Sequence, residues 1–79
     1  MDVVNDLLML TSARTFAATG DGLRRRQAAG LSLREVAAAV GISPTTLWRW
    51  EKGQRTPRGR AAIAWACLLD ELGRKVRTR

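Results

Sequence analysis

Residues 30–57 read GLSLREVAAAVGISPTTLWRWEKGQRTP, and this stretch decides the fold because it predicts two short helices joined by a tight turn. Ser32 and Glu35 form a capping box, in which the hydroxyl accepts a hydrogen bond from the Glu35 backbone and the carboxylate accepts one from the Ser32 backbone. The first helix is therefore predicted to begin at Leu33. Gly41 can adopt the left-handed conformation that closes a helix, so the helix is predicted to end just before it.

The second helix is predicted to follow this turn directly. Ser43 can cap it, and Pro44 suits its first position because the missing N–H breaks no helical hydrogen bond there. We expect the helix to run to about Lys52, with Gly53 as its stop. Residues 33–52 thus form a helix-turn-helix unit.

One face of the second helix is predicted to be buried, because Leu47 and Trp50 are three residues apart and share that face. The residues predicted to point away from the core are Thr45, Thr46, Trp48, Arg49 and Lys52. A polar and basic helix face next to a tight turn is typical of proteins that place a helix in the DNA major groove.

Four short motifs occur together in one known family. They are R-x-x-x-G-L-S at Arg26–Ser32, V-A-x-x-V-G-I-S at Val36–Ser43, L-x-x-W-E-x-G at Leu47–Gly53 and R-x-P at Arg55–Pro57. From about Asp21 to Leu72 the chain resembles the XRE, or lambda-repressor-like, helix-turn-helix family of phage and bacterial regulators. The resemblance implies a compact all-α domain of about five helices that binds double-stranded DNA.

The resemblance also implies roles for individual residues. Arg26 and Glu51 would form an ion pair between the first core helix and the end of the recognition helix; the alternative is that both are solvated surface charges. The loop after the recognition helix would follow the phosphate backbone. The residues expected to contact phosphates are Ser43, Arg34, Lys52, Arg55, Arg58 and Arg60.

The chain departs from the family at Leu33 and Pro44, where many members have glutamines that contact phosphate and adenine. Proline offers no side-chain donor, so base contacts are expected from Thr45, Thr46 and Arg49, with Arg49 suited to guanine. Trp48 has three open interpretations: it packs on thymine methyls or sugar edges, covers part of a dimer contact, or lies over its own domain.

Residues 1–19 are predicted to form an extra helix ahead of the family core, with Asp2 favouring its N-terminus. Helical spacing places four apolar residues on one stripe, namely Val3, Leu7, Leu10 and Ala17. Met9 and Phe16 fall on nearly the opposite side. Two interpretations of this pair remain open: the side chains contact a partner subunit in a homodimer, or they pack against the C-terminal helix of their own chain.

Three further expectations concern the rest of the chain. Gly20 and Gly22 flank Asp21, which is predicted to cap a short helix that runs to about Ala29. A C-terminal helix is predicted from near Arg58, with Trp65 and Cys67 both buried. The basic tail, residues 73–79, is expected to be disordered until it binds DNA.

Charge agrees with a polyanionic partner. The chain has 14 Lys and Arg against 7 Asp and Glu, a net charge of +7 on 79 residues and a pI near 11.5. The first 20 residues carry one arginine against two aspartates, so the excess positive charge belongs to residues 21–79. A chain this short is expected to fold as one domain, residues 1–79, and to gain stability by dimerising.

Several functions find no support in the sequence. The chain has one cysteine and no histidine, so no metal site, cofactor or catalytic constellation is expected, nor is a small-molecule ligand evident. No apolar run is long enough to span a bilayer, and the start of the chain is acidic rather than basic, which predicts a cytoplasmic protein.

These features predict a homodimeric transcriptional regulator, most simply a repressor, that binds duplex DNA and is not an enzyme. Two alternatives remain open. One is an excisionase-like accessory factor of recombination, which would use the same helix-turn-helix to bend DNA. The other is an antitoxin-like module that holds another protein through the N-terminal helix.

Overall fold

The computed structural model describes the backbone of residues 2–77 and the side chains of residues 2–75, and within these residues all the regular secondary structure is α-helical. The helices are α1 (Val3–Thr19), α2 (Asp21–Ala28), α3 (Leu33–Val40), α4 (Pro44–Glu51) and α5 (Gly59–Arg77). The prediction of a compact all-α domain of about five helices is therefore confirmed, and α1 is its extra N-terminal helix.

The ends of α3 and α4 follow from local hydrogen bonds. The Glu35 N–H donates to the Ser32 hydroxyl at 3.0 Å, and the Ser32 N–H donates to the Glu35 carboxylate at 2.8 Å. The bond from the Ser32 backbone, with a smaller contribution from the nearby Ser32 hydroxyl, holds the pKa of the Glu35 carboxyl below its usual value. Gly41 closes α3 with φ 82°, and Ser43 caps α4 as predicted. Helix α4 ends at Glu51, one residue before the predicted end.

The junction between α1 and α2 differs from the sequence-based expectation. Gly20, at φ 80°, closes α1, and α2 begins at Asp21 rather than at Gly22. Asp21 is not the cap: its N–H donates to the Thr19 hydroxyl at 3.2 Å, and its carboxylate accepts from Arg25 Nε at 3.0 Å. The prediction was wrong because the carboxylate is drawn to an arginine one turn later.

Trp65 is the centre of the core. Its side chain is fully buried, and its ring lies 6.5 Å from that of Phe16 in an edge-to-face arrangement and 5.2 Å from that of Trp50. Gly22 approaches from α2 so closely that a Cβ there would lie 2.7 Å from the Trp65 ring. One indole thus joins helices α1, α2, α4 and α5. The other buried apolar side chains are Ala13, Ala17, Val36, Ala37, Val40, Leu47, Pro57, Ala62, Ala66 and Leu69.

The structure decides between the two interpretations of Met9 and Phe16. Phe16 is only 8% exposed and packs within its own chain, and Met9 is half-buried against the same core, so the interpretation of this pair as dimer contacts was wrong. Val3 and Leu7, on the other stripe of α1, are 67% and 59% exposed. Helix α1 is apolar on both sides, so its pattern could not select the inner face. Contact with the Trp65 ring selects the face that carries Phe16.

Two expectations for α5 were also wrong. Cys67 is exposed, because the inward face of α5 is filled by Trp65, Ala66 and Leu69, and Cys67 lies on the other side of the helix. Helix α5 continues to Arg77, so residues 73–77 are helical rather than disordered. Residues 78 and 79 of the predicted tail lie outside the described part of the chain.

A buried ion pair links α2 to the end of α4. Arg26 donates from Nε and Nη2 to the two carboxylate oxygens of Glu51 at 2.7 and 3.0 Å. The Glu51 side chain is 1% exposed and that of Arg26 13%. A third donor, Nη1, reaches the Leu31 carbonyl at 3.0 Å, in the segment that leads into α3. The pair therefore fixes α4 relative to both preceding helices.

This geometry predicts that Glu51→Ala lowers the free energy of unfolding by about 3–5 kcal/mol, because it leaves a buried guanidinium without its anion. Urea denaturation followed by circular dichroism measures the change. The matched control is Glu71→Ala. Glu71 pairs with Arg74, and the two side chains are 64% and 65% exposed, so the loss of this pair should lower the free energy of unfolding by at most about 1 kcal/mol. Equal losses in the two variants would contradict the structural importance of the Arg26–Glu51 pair.

Candidate nucleic-acid interface

The outer face of α4 carries a continuous exposed stripe. Thr45, Trp48, Arg49 and Lys52 recur at helical spacing and are all exposed, whereas Leu47, Trp50 and Glu51 are buried on the opposite side. The core thus holds one face of α4 rigidly and leaves the other to solvent. We call these four exposed residues the α4 stripe.

Thr46 does not belong to this stripe. It is half-buried, and its N–H donates to the Ser43 hydroxyl at 3.1 Å. The Ser43 hydroxyl in turn donates to the Thr46 hydroxyl at 3.0 Å. Both side chains, expected to contact DNA, are thus hydrogen-bonded to each other at the start of their own helix, and Thr46 is less exposed than the other residues predicted to point away from the core. The cap needs these bonds because the first N–H groups of a helix have no partner within it.

Trp48 is 43% exposed and borders a shallow hollow. The other lining residues are Leu33, Pro44 and Thr45. Leu33 and Pro44 are the two positions at which the sequence departs from the family's glutamines, and the structure brings them together in one place. The only polar groups on these side chains are the Thr45 hydroxyl and the Trp48 indole N–H, so most of the hollow is apolar and suits a small apolar group.

The basic residues expected to contact phosphates are exposed, and along the chain they lie before and after the residues of the α4 stripe. Arg34 lies in the first turn of α3, and Arg55 and Arg58 lie in the segment between α4 and α5. Arg60 differs from them, because its guanidinium lies 3.6 Å from the Asp6 carboxylate of α1. A phosphate would have to compete with this acid for Arg60.

Arg14 was missed by sequence reasoning. Its Nε donates to the Pro57 carbonyl at 3.3 Å, and its side chain lines a hollow together with Arg55 and Thr56. The two bonded residues are 43 positions apart, so no local pattern could pair them. The available signal was that Arg14 is the only basic residue in an otherwise acidic first segment.

Two other kinds of site find no support in the described residues. Within this part of the chain, no three side chains of the metal-binding types come together. Nor does any helix there have the length and apolar character needed to cross a membrane.

Comparison with known families places this geometry in context. The family profile described as Helix-turn-helix matches residues 23–72, which is more than half of the chain and runs from α2 into α5. Helix α1 lies outside the matched region. No curated protein and no solved structure matches the chain significantly. With its capped α3 and α4 and the exposed α4 stripe, the chain belongs to the XRE, or lambda-repressor-like, helix-turn-helix family of DNA-binding transcription regulators.

Proposed function

We propose that this protein is a bacterial or phage repressor that binds a specific duplex DNA sequence as a homodimer, acts in the cytoplasm and has no enzymatic activity. The observation that carries the proposal is the α4 stripe, which is exposed on a helix whose position is fixed by the buried Arg26–Glu51 pair. A rigid helix with a polar outer face is what reading of base edges in the major groove requires.

Arg49 would supply the principal base contact. Its guanidinium is exposed in the middle of the α4 stripe, where it can donate two hydrogen bonds to O6 and N7 of a guanine. Thr45, one turn earlier on the same face, would contact the neighbouring base. Lys52, one turn later, would lie nearer the phosphates.

Trp48 would contribute apolar specificity. The hollow that it forms with Leu33 and Pro44 can accept the methyl group of a thymine, and the Thr45 hydroxyl at its edge can donate to the adjacent O4. This assignment gives the two residues that replace the family's glutamines a common role. It predicts that recognition at this end of α4 depends on base methyl groups.

Repression follows from occupancy. A domain that measures 31 × 29 × 22 Å covers about one turn of duplex, so a protein bound within a promoter excludes RNA polymerase from the same DNA. No further contact is needed for this effect. Arg34, Arg55 and Arg58 would hold the domain on the phosphate backbone while α4 lies in the groove.

The proposed dimer uses a surface of α1 different from the one that carries Met9 and Phe16, the dimer candidates predicted from the sequence. Val3, Val4, Leu7 and Leu8, here called the α1 apolar face, are 58–67% exposed and adjoin one another on the first two turns. A cluster of exposed aliphatic side chains is unfavourable in water and is typical of an interface. A second copy of the chain is the occupant that we propose.

Charge favours a second copy at this position. The first 20 residues have a net charge of −1, whereas the rest of the chain has +8. Two copies that meet through α1 bring together their least positive surfaces and keep the strongly basic ones apart. Such pairing of domains about 30 Å across can also place two recognition helices roughly 34 Å apart, the spacing of two half-sites on one face of DNA.

The first prediction separates base contacts from phosphate contacts. Arg49→Ala should cost about 1–3 kcal/mol on a duplex selected from a randomised pool and relax the preference at one base pair. Arg58→Ala should weaken binding to selected and random duplexes alike. Fluorescence anisotropy titrations measure both affinities. A uniform loss for Arg49→Ala would make Arg49 a phosphate contact instead.

The second prediction concerns the hollow beside Trp48. Replacing thymines of the selected duplex one at a time with deoxyuridine should reduce affinity about fourfold at one position of each half-site, because one buried methyl is lost. Trp48→Ala should bind the thymine and deoxyuridine duplexes equally well. If every such replacement is neutral for the wild type, the hollow does not bind a base methyl.

The third prediction concerns the α1 apolar face. Truncating α1 would remove Ala13, Phe16 and Ala17 from the core, so surface substitution is the sharper test. The double variant Leu7→Gln, Leu8→Gln should sediment as a monomer at micromolar concentration and bind a two-half-site duplex far more weakly than the wild-type dimer. The control is Ala28→Gln on the exposed end of α2, which should remain dimeric.

Three outcomes would count against this proposal. A monomeric wild-type protein with full affinity for a single half-site would exclude the dimer. A stoichiometric complex of the α1 apolar face with a different protein would favour the antitoxin-like alternative. Binding to an array of sites with pronounced DNA bending, measured by circular permutation of the duplex, would favour the recombination accessory factor.

A further inference from the structure

We propose that Arg14 of α1 and Arg55 of the loop between α4 and α5 form a binding site for a backbone phosphate of DNA. The site is the hollow that these two side chains line together with Ala17, Ala18, Gly53, Thr56 and Pro57. The proposal rests on DNA binding as proposed above and extends it to α1, the helix that lies outside the family match.

Arg14 is held in place by a hydrogen bond to the loop that precedes α5. Its Nε donates to the carbonyl of Pro57, a residue whose side chain is fully buried and therefore a rigid anchor. This bond uses one of the five N–H donors of the guanidinium. The remaining donors can face the hollow at a reduced entropic cost, because the long side chain is already ordered.

The charges around Arg14 differ from those around several other arginines of the described residues, which form ion pairs with a carboxylate. These are Arg24 and Arg25 with Asp21, Arg26 with Glu51, Arg60 with Asp6 and Arg74 with Glu71. Arg14 is bonded instead to a neutral carbonyl, and the residues that line its hollow include a second arginine and no acid.

Two like charges that line one hollow repel each other, and an anion between them removes that repulsion. A phosphate diester fits this role because guanidinium groups bind its oxygens through paired, charge-assisted hydrogen bonds. The Thr56 hydroxyl at the same hollow provides a neutral donor. The arrangement therefore favours a phosphate over a base edge.

The hollow lies next to the end of the recognition helix. The loop that lines it begins directly after Lys52, the last residue of the α4 stripe. Gly53 in this loop lies close to α1, since a Cβ at Gly53 would be 3.6 Å from the Ala17 carbonyl oxygen. Helix α1 is thus packed against the end of the recognition helix. A phosphate bound at Arg14 belongs to the same DNA backbone that Arg55 and Arg58 are proposed to contact.

The test is the salt dependence of binding to a 24-base-pair duplex carrying the selected sequence. Arg14→Gln should flatten the slope of log affinity against log salt concentration by about 0.9. Between about 50 and about 200 mM NaCl the variant should therefore lose about threefold less affinity than the wild type. Arg14→Lys should keep most of the wild-type slope, since it retains the charge.

Arg24→Gln provides the control, because it removes one positive charge from an exposed arginine that is paired with Asp21. Its slope should match that of the wild type. Circular dichroism should show native helicity for all three variants, because both arginines are exposed.

An Arg14→Gln variant that is less stable but keeps the full salt slope would overturn the proposal and leave Arg14 as a purely structural tie to the loop. The same slope change in Arg24→Gln would also overturn it, as an effect of net charge alone. Failure of the wild-type protein to bind duplex DNA at all would refute the proposed function itself, and this result is distinguishable from both.

Discussion

The structure depends most on the bidentate ion pair between Arg26 and Glu51. A carboxylate that is 1% exposed is unfavourable in a protein interior unless its charge is compensated, and two guanidinium hydrogen bonds at 2.7 and 3.0 Å compensate it here. Because Arg26 also reaches the Leu31 carbonyl, one side chain sets the position of α4 against α2 and against the entry to α3. Because the inner face and the end of the recognition helix are fixed in this way, its outer face has a defined position on the domain.

A second constraint, the burial of Trp65, attaches the extra helix to the family fold. The indole contacts Phe16, Trp50 and Gly22 from three other helices, so α1 is part of the same core as the helix-turn-helix. Two consequences follow from this attachment. The side of α1 that faces away from Trp65 leaves Val3, Val4, Leu7 and Leu8 exposed to solvent, and Arg14 comes to lie beside the loop after α4.

The proposed DNA surface combines two kinds of contact that differ in physical origin. Arg49 would supply directional hydrogen bonds, while the hollow beside Trp48 would supply an apolar surface that distinguishes bases by a methyl group. The surrounding arginines would contribute attraction that is independent of sequence and sensitive to salt. A small domain can in this way obtain affinity from its charge and selectivity from a few exposed residues on a single helix.

The sequence by itself determined the helix-turn-helix. The ends of α3 and α4 follow from Ser32, Gly41 and Ser43 through hydrogen bonds between residues at most a few positions apart, and such bonds can be predicted from spacing. The family resemblance correctly anticipated the pairing of Arg26 with Glu51. Tertiary structure alone decided which face of the doubly apolar α1 is buried, that Cys67 is exposed and that Arg14 meets Pro57. These outcomes depend on contacts between residues far apart in the chain. The size of the Trp65 ring and the space around it determine which side chains pack together, and a local sequence pattern does not contain this information.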